Sequence, residues 1–312
     1  MSEGALRLGL VGCGRLAERG YAPAARRLDG LEIVAVTDPD RDRRGLLARH
    51  TGASAHAQLS QMLGAGPLDG VIICSEPEAH EEAAAAVAAA GLTALVEKPP
   101  APDAAGALRI AALTPVPWIG FNRRFDQGLR LDRRIPNFGD LNLRLVLHYR
   151  RKSWRPVSRA DDALLDLAPH LIDLALMLTG ALPVAVRAQS ERDRAGITMA
   201  TTRGPVRIEC ATNRPYREYI EVRDAAGHRL ARAKRGGRKR AVTTRLMPGG
   251  HPLVRSLTRQ LDAYARALRG EDPGPLATAA EGAATMCVLD AARRSDAVGG
   301  DTTPVEGVVV QA

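Results

Sequence analysis

The sequence is poor in aromatic residues and cysteine, and it contains no long apolar run. Phe, Trp and Tyr make up 3% of the 312 residues, so few rings are present on which nucleic-acid bases could stack. No apolar run approaches the length of about 18 residues needed to span a membrane, and no signal peptide is recognisable at the start, so we expect neither membrane insertion nor export. The four cysteines occur singly without a Cys-x-x-Cys pair, which predicts reduced thiols in a cytoplasmic protein. We expect no metal site.

Lysine is also scarce, although the chain is basic overall. Four of the 44 Lys and Arg residues are lysines, at positions 98, 152, 234 and 239, so a lysine kept in this arginine-rich chain has a raised chance of being needed as lysine. The net charge of +9 arises after residue 118, where 33 basic residues face 21 acidic ones. Two basic runs, Arg150 to Arg155 and Lys234 to Arg240, carry the case for nucleic acid, which the lack of stacking residues disfavours. The second run is typical of a solvated hairpin loop with Gly236 and Gly237 at its tip.

The length and the residue pattern predict two folded domains. In the first third, short apolar runs alternate with helical stretches, which predicts an α/β domain with a doubly wound parallel sheet over residues 1–120. After a short basic helix near Asp126 to Arg134, longer alternating segments predict an α+β domain over residues 121–312 with an open, mostly antiparallel sheet. One apolar helix, about Asp162 to Leu178, interrupts these strands. Two further helices and a last strand, Val305 to Val310, close the chain, and these C-terminal segments are candidates for packing back on the first domain.

A glycine motif follows the first predicted strand and opens a helix. Gly12, Gly14 and Ala17 form G-x-G-x-x-A, in which the first glycine permits a tight turn and the second lets the backbone approach a pyrophosphate. Asp38 follows the second strand at the spacing where a carboxylate binds the ribose hydroxyls of a dinucleotide. The pattern predicts a Rossmann domain that binds NAD in preference to NADP, because a carboxylate repels a 2′-phosphate. Arg41 and Arg43 could instead turn towards such a phosphate, or belong to a solvated helix.

Three further motifs resemble one enzyme family. Glu97-Lys98-Pro99 follows the fifth strand, Asn122-Arg123-Arg124-Phe125 comes next, and a helix then carries Asp166, His170 and Asp173. In this order they resemble the glucose-fructose oxidoreductase, inositol dehydrogenase and rhizopine-catabolism oxidoreductase family (Gfo/Idh/MocA). Considered alone, the helix positions also fit Asp166 as a helix cap and His170 as a core histidine.

The resemblance implies an NAD-dependent oxidoreductase acting on a secondary alcohol or ketone of a sugar, sugar derivative or cyclitol, in a homodimer or homotetramer. It implies that Lys98 and His170 carry the proton chemistry and that Asp166 supports them. The predicted cofactor contacts, drawn from the motif and the resemblance together, are Gly12, Gly14, Arg15, Leu16, Asp38, Ser75, Glu76, His80, Glu97 and Lys98. The predicted substrate contacts are Arg124, Arg151, Arg155, Asp166 and His170, and the arginines would favour an anionic substituent.

Two alternatives stay open at this point. A lyase or glycosidase that retains NAD belongs to the same family, and a non-enzymatic sensor could use the same fold to bind a dinucleotide. The sensor would have no need of Lys98, Asp166 and His170. Two residues depart from the family pattern: Ala168 replaces a common glycine, and Glu76 places a carboxylate near the expected nicotinamide ribose.

Overall fold

The computed structural model describes residues 4–126, 128, 135, 139–150, 162–236 and 251–308. The chain divides into two compact units. The first unit comprises Met1–Phe125 and Leu246–Gly282, and the second comprises Asp126–Arg245 and Ala283–Ala312. Among the described residues, no helix is both long enough and apolar enough to cross a membrane.

The first unit is built on a seven-stranded sheet. Its strands are β1 (Leu6–Val11), β2 (Leu31–Thr37), β3 (Ser54–His56), β4 (Gly70–Ile73), β5 (Thr93–Glu97), β6 (Trp118–Gly120) and β13 (Ala277–Thr278). They lie in the order β13-β6-β5-β4-β1-β2-β3, and all pair in parallel except β13, which is antiparallel to β6. The strands are continuous apolar runs because helices cover the sheet. This arrangement confirms the predicted parallel sheet.

The helices of the first unit lie between these strands or return from later in the chain. They are a π-helical turn (Ala17–Tyr21) that continues into α1 (Ala22–Ala25), then α2 (Arg41–Thr51), α3 (Leu59–Gly64), α4 (His80–Ala89), α5 (Ala104–Ala111) and α8 (Pro252–Leu268). Two short 3₁₀ turns occupy Pro77–Ala79 and Asn122–Phe125. Helix α8 packs into the core through Leu257, Leu261 and Tyr264, which are fully buried and recur at helical spacing.

The second unit contains the mostly antiparallel sheet. Its strands are β7 (Leu141–Arg150), β8 (Pro183–Glu191), β9 (Arg194–Thr201), β10 (Gly204–Ala211), β11 (Asn213–Asp224), β12 (Arg229–Gly236) and β14 (Thr303–Pro304). They lie in the order β12-β11-β7-β10-β9-β8-β14, and β7 and β10 pair in parallel. Helices α6 (Ala163–Asp166) and α7 (Ala168–Thr179) pack on one face of this sheet. A last helix, α9 (Ala279–Ala297), begins in the first unit and continues into the second.

The structure corrects three local predictions. The apolar helix is divided at Leu167 into α6 and α7. Lys234, Arg235 and Gly236 are strand residues of β12 rather than the tip of a loop, and the hairpin turn of this ribbon falls earlier, between β11 and β12. The last strand pairs through Thr303 and Pro304 instead of beginning at Val305. The basic helix predicted near Asp126 to Arg134 lies mostly outside the described residues.

Candidate active site

Four parallel strands of the first unit bring predicted site residues to one edge of the sheet. Gly12 follows β1, Asp38 follows β2, Ser75 comes shortly after β4, and Lys98 follows β5. Because the carboxyl ends of parallel strands share an edge, the strand order places these residues in the sequence Asp38, Gly12, Ser75, Lys98. The distance from the end of β2 to the end of β5 is three strand spacings, about 14 Å. This edge can therefore hold an extended ligand with Asp38 at one end and Lys98 at the other.

The glycine loop has the shape that a pyrophosphate requires. Gly12 has φ of +88°, and a Cβ atom there would lie 2.6 Å from the backbone nitrogen of Ser75. A Cβ at Gly14 would meet no atom of the chain within 4 Å, so open space faces this residue. Arg15 is exposed and Leu16 half-buried in the first helical turn that follows. The loop thus combines a turn that only glycine fits easily with a backbone that a ligand can approach.

Asp38 is 7% exposed and is held by two backbone amides. Its Oδ2 accepts a hydrogen bond from Cys13 N at 2.7 Å, and its Oδ1 accepts one from Asp40 N at 2.8 Å. Each carboxylate oxygen has a further lone pair, so the ribose hydroxyls of a dinucleotide fit this group. The carboxylate is therefore oriented before any ligand binds.

Among the arginines near Asp38, Arg43 fits the solvated-helix alternative. Arg43 lies 3.4 Å from Asp40 in an exposed ion pair at the start of α2. Arg44, which the sequence analysis did not single out, donates to the carbonyl oxygens of Asp38 and Pro39 at 3.2 and 3.0 Å. Nothing in the sequence distinguished Arg44 from its neighbours, because the rotation of α2 decides which arginine faces the loop that carries Asp38. Arg44 therefore supports the loop that carries Asp38.

Glu97 is the last residue of β5 and Lys98 follows it, as the motif predicted. Glu97 is 5% exposed, and its Oε2 accepts a hydrogen bond from the backbone nitrogen of Lys98 at 3.0 Å. Its Oε1 accepts one from the hydroxyl of Tyr21 at 2.6 Å. Burial raises the pKa of Glu97, while the hydrogen bond from Tyr21 and the charge of Lys98 oppose that rise. Glu97 thus holds the backbone from which Lys98 extends.

His80 was predicted to bind the cofactor, but the structure gives it a supporting position. Its ring is fully buried, with Nδ1 at 3.1 Å from the carbonyl oxygen of Pro99 and Nε2 at 3.0 Å from that of Ser75. Burial lowers the pKa of His80, although both carbonyl contacts act in the opposite direction. His80 thereby joins the loop after β4 to the turn after Lys98.

Two neighbouring residues keep positions that suit a ligand. The Ser75 hydroxyl oxygen is buried and has no hydrogen-bond partner among the described residues. Since Ser75 adjoins Gly12, its unpaired hydroxyl provides a polar group for a ligand in the glycine loop. Glu76 is exposed at the N-terminus of the following 3₁₀ turn. The glycine loop, the Asp38 carboxylate and the Ser75 hydroxyl together fit a dinucleotide.

Asp166 and His170 belong to the second unit. Asp166 is the last residue of α6, and its Oδ2 accepts a hydrogen bond from the hydroxyl of Tyr149 at 2.6 Å. His170, which is 9% exposed, lies in the first turn of α7. Tyr149 was not predicted as a site residue, although it lies near the end of β7 beside the basic run. The structure thus places Lys98 in one unit and Asp166 and His170 in the other, so their meeting at a substrate remains a proposal.

The predicted substrate arginines are not supported as a group. Arg124 is 3% exposed, and its Nη1 lies 3.1 Å from both carboxylate oxygens of Glu281. This ion pair, buried at Arg124 but partly exposed at Glu281, ties the 3₁₀ turn of the first unit to the start of α9. Arg151 and Arg155 lie outside the described residues. Within the described ranges, no cluster of three or more His, Cys, Asp or Glu side chains could hold a metal ion.

Comparison with known proteins agrees with the geometry of the first unit. Residues 6–115 match the model of an oxidoreductase family with an NAD-binding Rossmann fold, GFO_IDH_MocA. Inositol 2-dehydrogenase 2 of Saccharopolyspora erythraea is 29% identical to the chain over an alignment 328 positions long, which covers 96% of each protein. Inositol 2-dehydrogenase of Leifsonia xyli subsp. xyli is 34% identical over 200 residues, covering 61% of this chain and 59% of that relative.

A solved structure extends the likeness over both units. The crystal structure of myo-inositol dehydrogenase from Lactobacillus casei, in complex with NAD(H) and myo-inositol, superimposes with a TM-score of 0.81. It is 21% identical, and the match covers 98% of each chain, which establishes a shared fold. Residues 6–115 thus match the Gfo/Idh/MocA oxidoreductase family that the motifs resemble, and the chain is similar to an inositol 2-dehydrogenase over 96% of its length.

Proposed function

We propose that this protein is an NAD-dependent dehydrogenase that oxidises a secondary alcohol of a cyclitol, or reduces the corresponding ketone. The observation that carries the proposal is the line of Asp38, Gly12, Ser75 and Lys98 along one sheet edge. A dinucleotide bound there with its adenosine at Asp38 would direct its nicotinamide towards Lys98. Sugars and sugar derivatives have the same reacting group as a cyclitol and form the wider substrate class. The inositol dehydrogenases among the relatives support a cyclitol.

The proposed chemistry divides between three side chains. NAD, when bound, supplies the hydride acceptor for oxidation. His170 accepts the proton of the substrate hydroxyl, and Lys98 donates a hydrogen bond to the oxygen as negative charge develops on it. Asp166, which Tyr149 holds by its hydroxyl, orients the proton-transfer group. The same groups act in the opposite sense when a ketone is reduced.

Turnover with a panel of substrates tests this proposal. Purified protein with NAD⁺ and either myo-inositol or scyllo-inositol should generate NADH, followed by its absorbance, and simple sugars should extend or narrow the class. A sensor would bind NADH without turnover of any alcohol. A lyase or glycosidase that retains NAD would convert its substrate without net release of NADH. Either outcome would replace the proposed activity.

Preference for NAD over NADP is the first expected result. Asp38 is buried and held by two amides, so its carboxylate cannot easily turn away from a 2′-phosphate. We expect NADH to bind at least about 10-fold more tightly than NADPH, a difference of about 1.4 kcal/mol. Asp38→Asn should reduce this ratio because it removes the charge and keeps an amide oxygen as acceptor. Nucleotide fluorescence titration measures both affinities.

A matched control separates the charge of Asp38 from its position in the loop. Asp40→Asn changes a second carboxylate two residues away, and asparagine preserves the helix cap that Asp40 provides to α2. This variant should keep the selectivity of the parent. Tighter binding of NADPH than NADH by the parent would contradict the assignment of Asp38.

We also propose a homo-oligomer that forms through the open face of the second unit's sheet, opposite α7. Strand alternation places Arg144, Arg207 and Arg232 on this face, and each is exposed. Arg217 and Arg232 lie over the ring of Tyr219, with guanidinium-to-centroid distances of 5.7 and 5.4 Å. Glu209 and Glu221 balance only part of this charge. Two copies of such a face repel each other unless salt screens them.

The expected result is therefore that the apparent molar mass rises as salt is added. Light scattering at micromolar protein should show more dimer or tetramer at high ionic strength than at low ionic strength, since screening weakens repulsion between basic faces. Arg207→Glu should associate at lower salt than the parent. A monomer at every salt concentration would rule out the proposed assembly.

Two further proposals concern the location of the protein and the charge of its substrate. A cytoplasmic location is supported by the absence of disulfides among the four cysteines, all of which lie in the described part of the chain. An anionic substituent on the substrate depends on Arg151 and Arg155 and stays a prediction from sequence.

A further inference from the structure

A buried polar chain connects the helix after the glycine loop with the end of β5. Tyr21, the last residue of the π-helical turn, is fully buried, and its hydroxyl donates to Glu97 Oε1 at 2.6 Å. Gln260 of α8 is also fully buried, and its Nε2 donates to the Tyr21 hydroxyl oxygen at 2.9 Å. In the sequence, Tyr21 is 76 positions from Glu97 and 239 positions from Gln260. The tertiary fold, not local chain geometry, therefore builds the contact.

All the hydrogen bonds of this chain are directed towards the Glu97 carboxylate. Gln260 donates to Tyr21, Tyr21 donates to Oε1 of Glu97, and the backbone nitrogen of Lys98 donates to Oε2. Burial and the neighbouring Glu97 raise the pKa of Tyr21 well above its ordinary value, so the hydroxyl keeps its proton. A donor aimed at a buried carboxylate favours the charged form. The chain thus favours the ionised form of Glu97 against the opposing effect of burial, at the residue that precedes Lys98.

The titratable groups around Glu97 are few. Tyr21 faces it from the π-helical turn, Lys98 lies next to it in the chain, and Cys74 approaches from the end of β4. Burial raises the pKa of Cys74 well above its ordinary value, and its Sγ donates to the carbonyl oxygen of Gly12 at 3.3 Å. Because Cys74 stays neutral, the ionisation of Glu97 responds to Tyr21 and Lys98.

The π-helical turn determines where Tyr21 points. A π-turn adds one residue relative to an unbroken α-helix, which rotates the following side chains by about 100°. The turn begins at Ala17, the third small residue of the glycine motif. Tyr21 therefore lies on the segment that starts at the glycine motif.

We propose that Tyr21, supported by Gln260, is a positioning residue for the reaction: its hydrogen bond fixes the Glu97 carboxylate and favours its charged form, and Glu97 in turn holds the backbone of Lys98 at the end of β5. The inference rests on the proposed catalytic role of Lys98. It assigns the helix after the glycine loop a second task, since the segment that receives the dinucleotide also orders the lysine that acts on the substrate.

The test is Tyr21→Phe, which removes one hydroxyl and keeps the ring. We expect kcat to fall about 10-fold, the loss typical of a misplaced charge-assisted hydrogen bond. The Tyr21 hydroxyl lowers the pKa of Glu97, so its removal raises that pKa and Glu97 becomes protonated at higher pH. The acid limb of the pH profile of kcat should therefore move to higher pH. NADH affinity should change less than about 2-fold, because the glycine loop is intact.

Tyr264→Phe is the matched control. Tyr264 is another fully buried tyrosine of the first unit, and its hydroxyl donates to the carbonyl oxygen of Thr93 at 2.7 Å, at the opposite end of β5 from Lys98. Its loss should cost similar stability and leave the acid limb where the parent has it. If Tyr21→Phe does not fold, Gln260→Leu weakens the same chain from its outer end and should move the acid limb in the same direction.

The outcomes distinguish this inference from the proposed function. An acid limb that moves in Tyr21→Phe or Gln260→Leu but not in Tyr264→Phe supports the positioning role. An acid limb identical in all of these variants overturns the positioning role of Tyr21. If Lys98→Ala is inactive in that case, the proposed function still stands. Full activity in Lys98→Ala overturns both.

Discussion

Lys98→Ala is expected to lower kcat by about 10²-fold or more, because groups that handle protons in the transition state typically contribute 10² to 10⁴. Lys98 follows β5 at the sheet edge where parallel α/β proteins bind ligands. Alanine removes the ammonium group but retains the backbone nitrogen that donates to Glu97. NADH binding should therefore survive while turnover is lost. Steady-state kinetics together with a fluorescence titration measure the two quantities separately.

Lys234→Ala serves as the control for Lys98. It removes another of the four lysines, from an exposed position on β12, and should leave kcat at the parent value. A Lys98→Ala enzyme with full activity would eliminate the proposed mechanism, whatever the behaviour of the control.

Substitutions of the two loop glycines should separate folding from binding. Gly12→Ala places a methyl group within 2.8 Å of three backbone atoms of Cys74 and Ser75, at a φ of +88°. We expect it to reduce the free energy of unfolding by about 1 to 3 kcal/mol and to weaken NADH binding by more than about 10-fold. Gly14→Ala meets no atom of the chain within 4 Å. Its stability should match the parent, and its NADH affinity should fall by at least about 10-fold.

Gly12→Ala and Gly14→Ala are compared by their stability and by their NADH affinity. Thermal unfolding reports stability, and NADH titration reports affinity. A lower melting temperature in Gly12→Ala and an unchanged one in Gly14→Ala, with binding impaired in both, would place the pyrophosphate against Gly14. Normal NADH affinity in Gly14→Ala would show that the open space there is not where the dinucleotide lies.

Local patterns in the sequence predicted the residues at strand ends but not those that support them. Gly12, Asp38 and Lys98 could be located because each directly follows a strand that a largely apolar run predicts. Tyr21 could not, because its contact with Glu97 depends on a π-helical turn that no residue pattern indicates. Gln260 was also missed, since its partner Tyr21 lies 239 positions away in the sequence.

Two long strands of the second unit, β9 and β12, were missed from the sequence because polar or charged residues alternate with small ones. Strand β12, Arg229–Gly236, alternates small apolar residues with arginine and lysine, so its charge concealed the period of two that marks a half-buried strand. Strand β9, Arg194–Thr201, likewise contains small and polar residues on its exposed side. The apolar strands of the first unit, by contrast, are buried on both faces and stood out as continuous runs.

The discontinuous first unit has a consequence for the order in which the chain is made. The ribosome completes residues 1–125 long before it reaches α8, whose Leu257, Leu261 and Tyr264 complete the core around β1 and β4. Until then, the nascent nucleotide-binding half has an apolar groove open to solvent, which is a hazard for aggregation. A fragment ending at Phe125 inherits the same exposed groove permanently. Any chimera that transplants this half into another protein must therefore carry the segment Leu246–Gly282 with it.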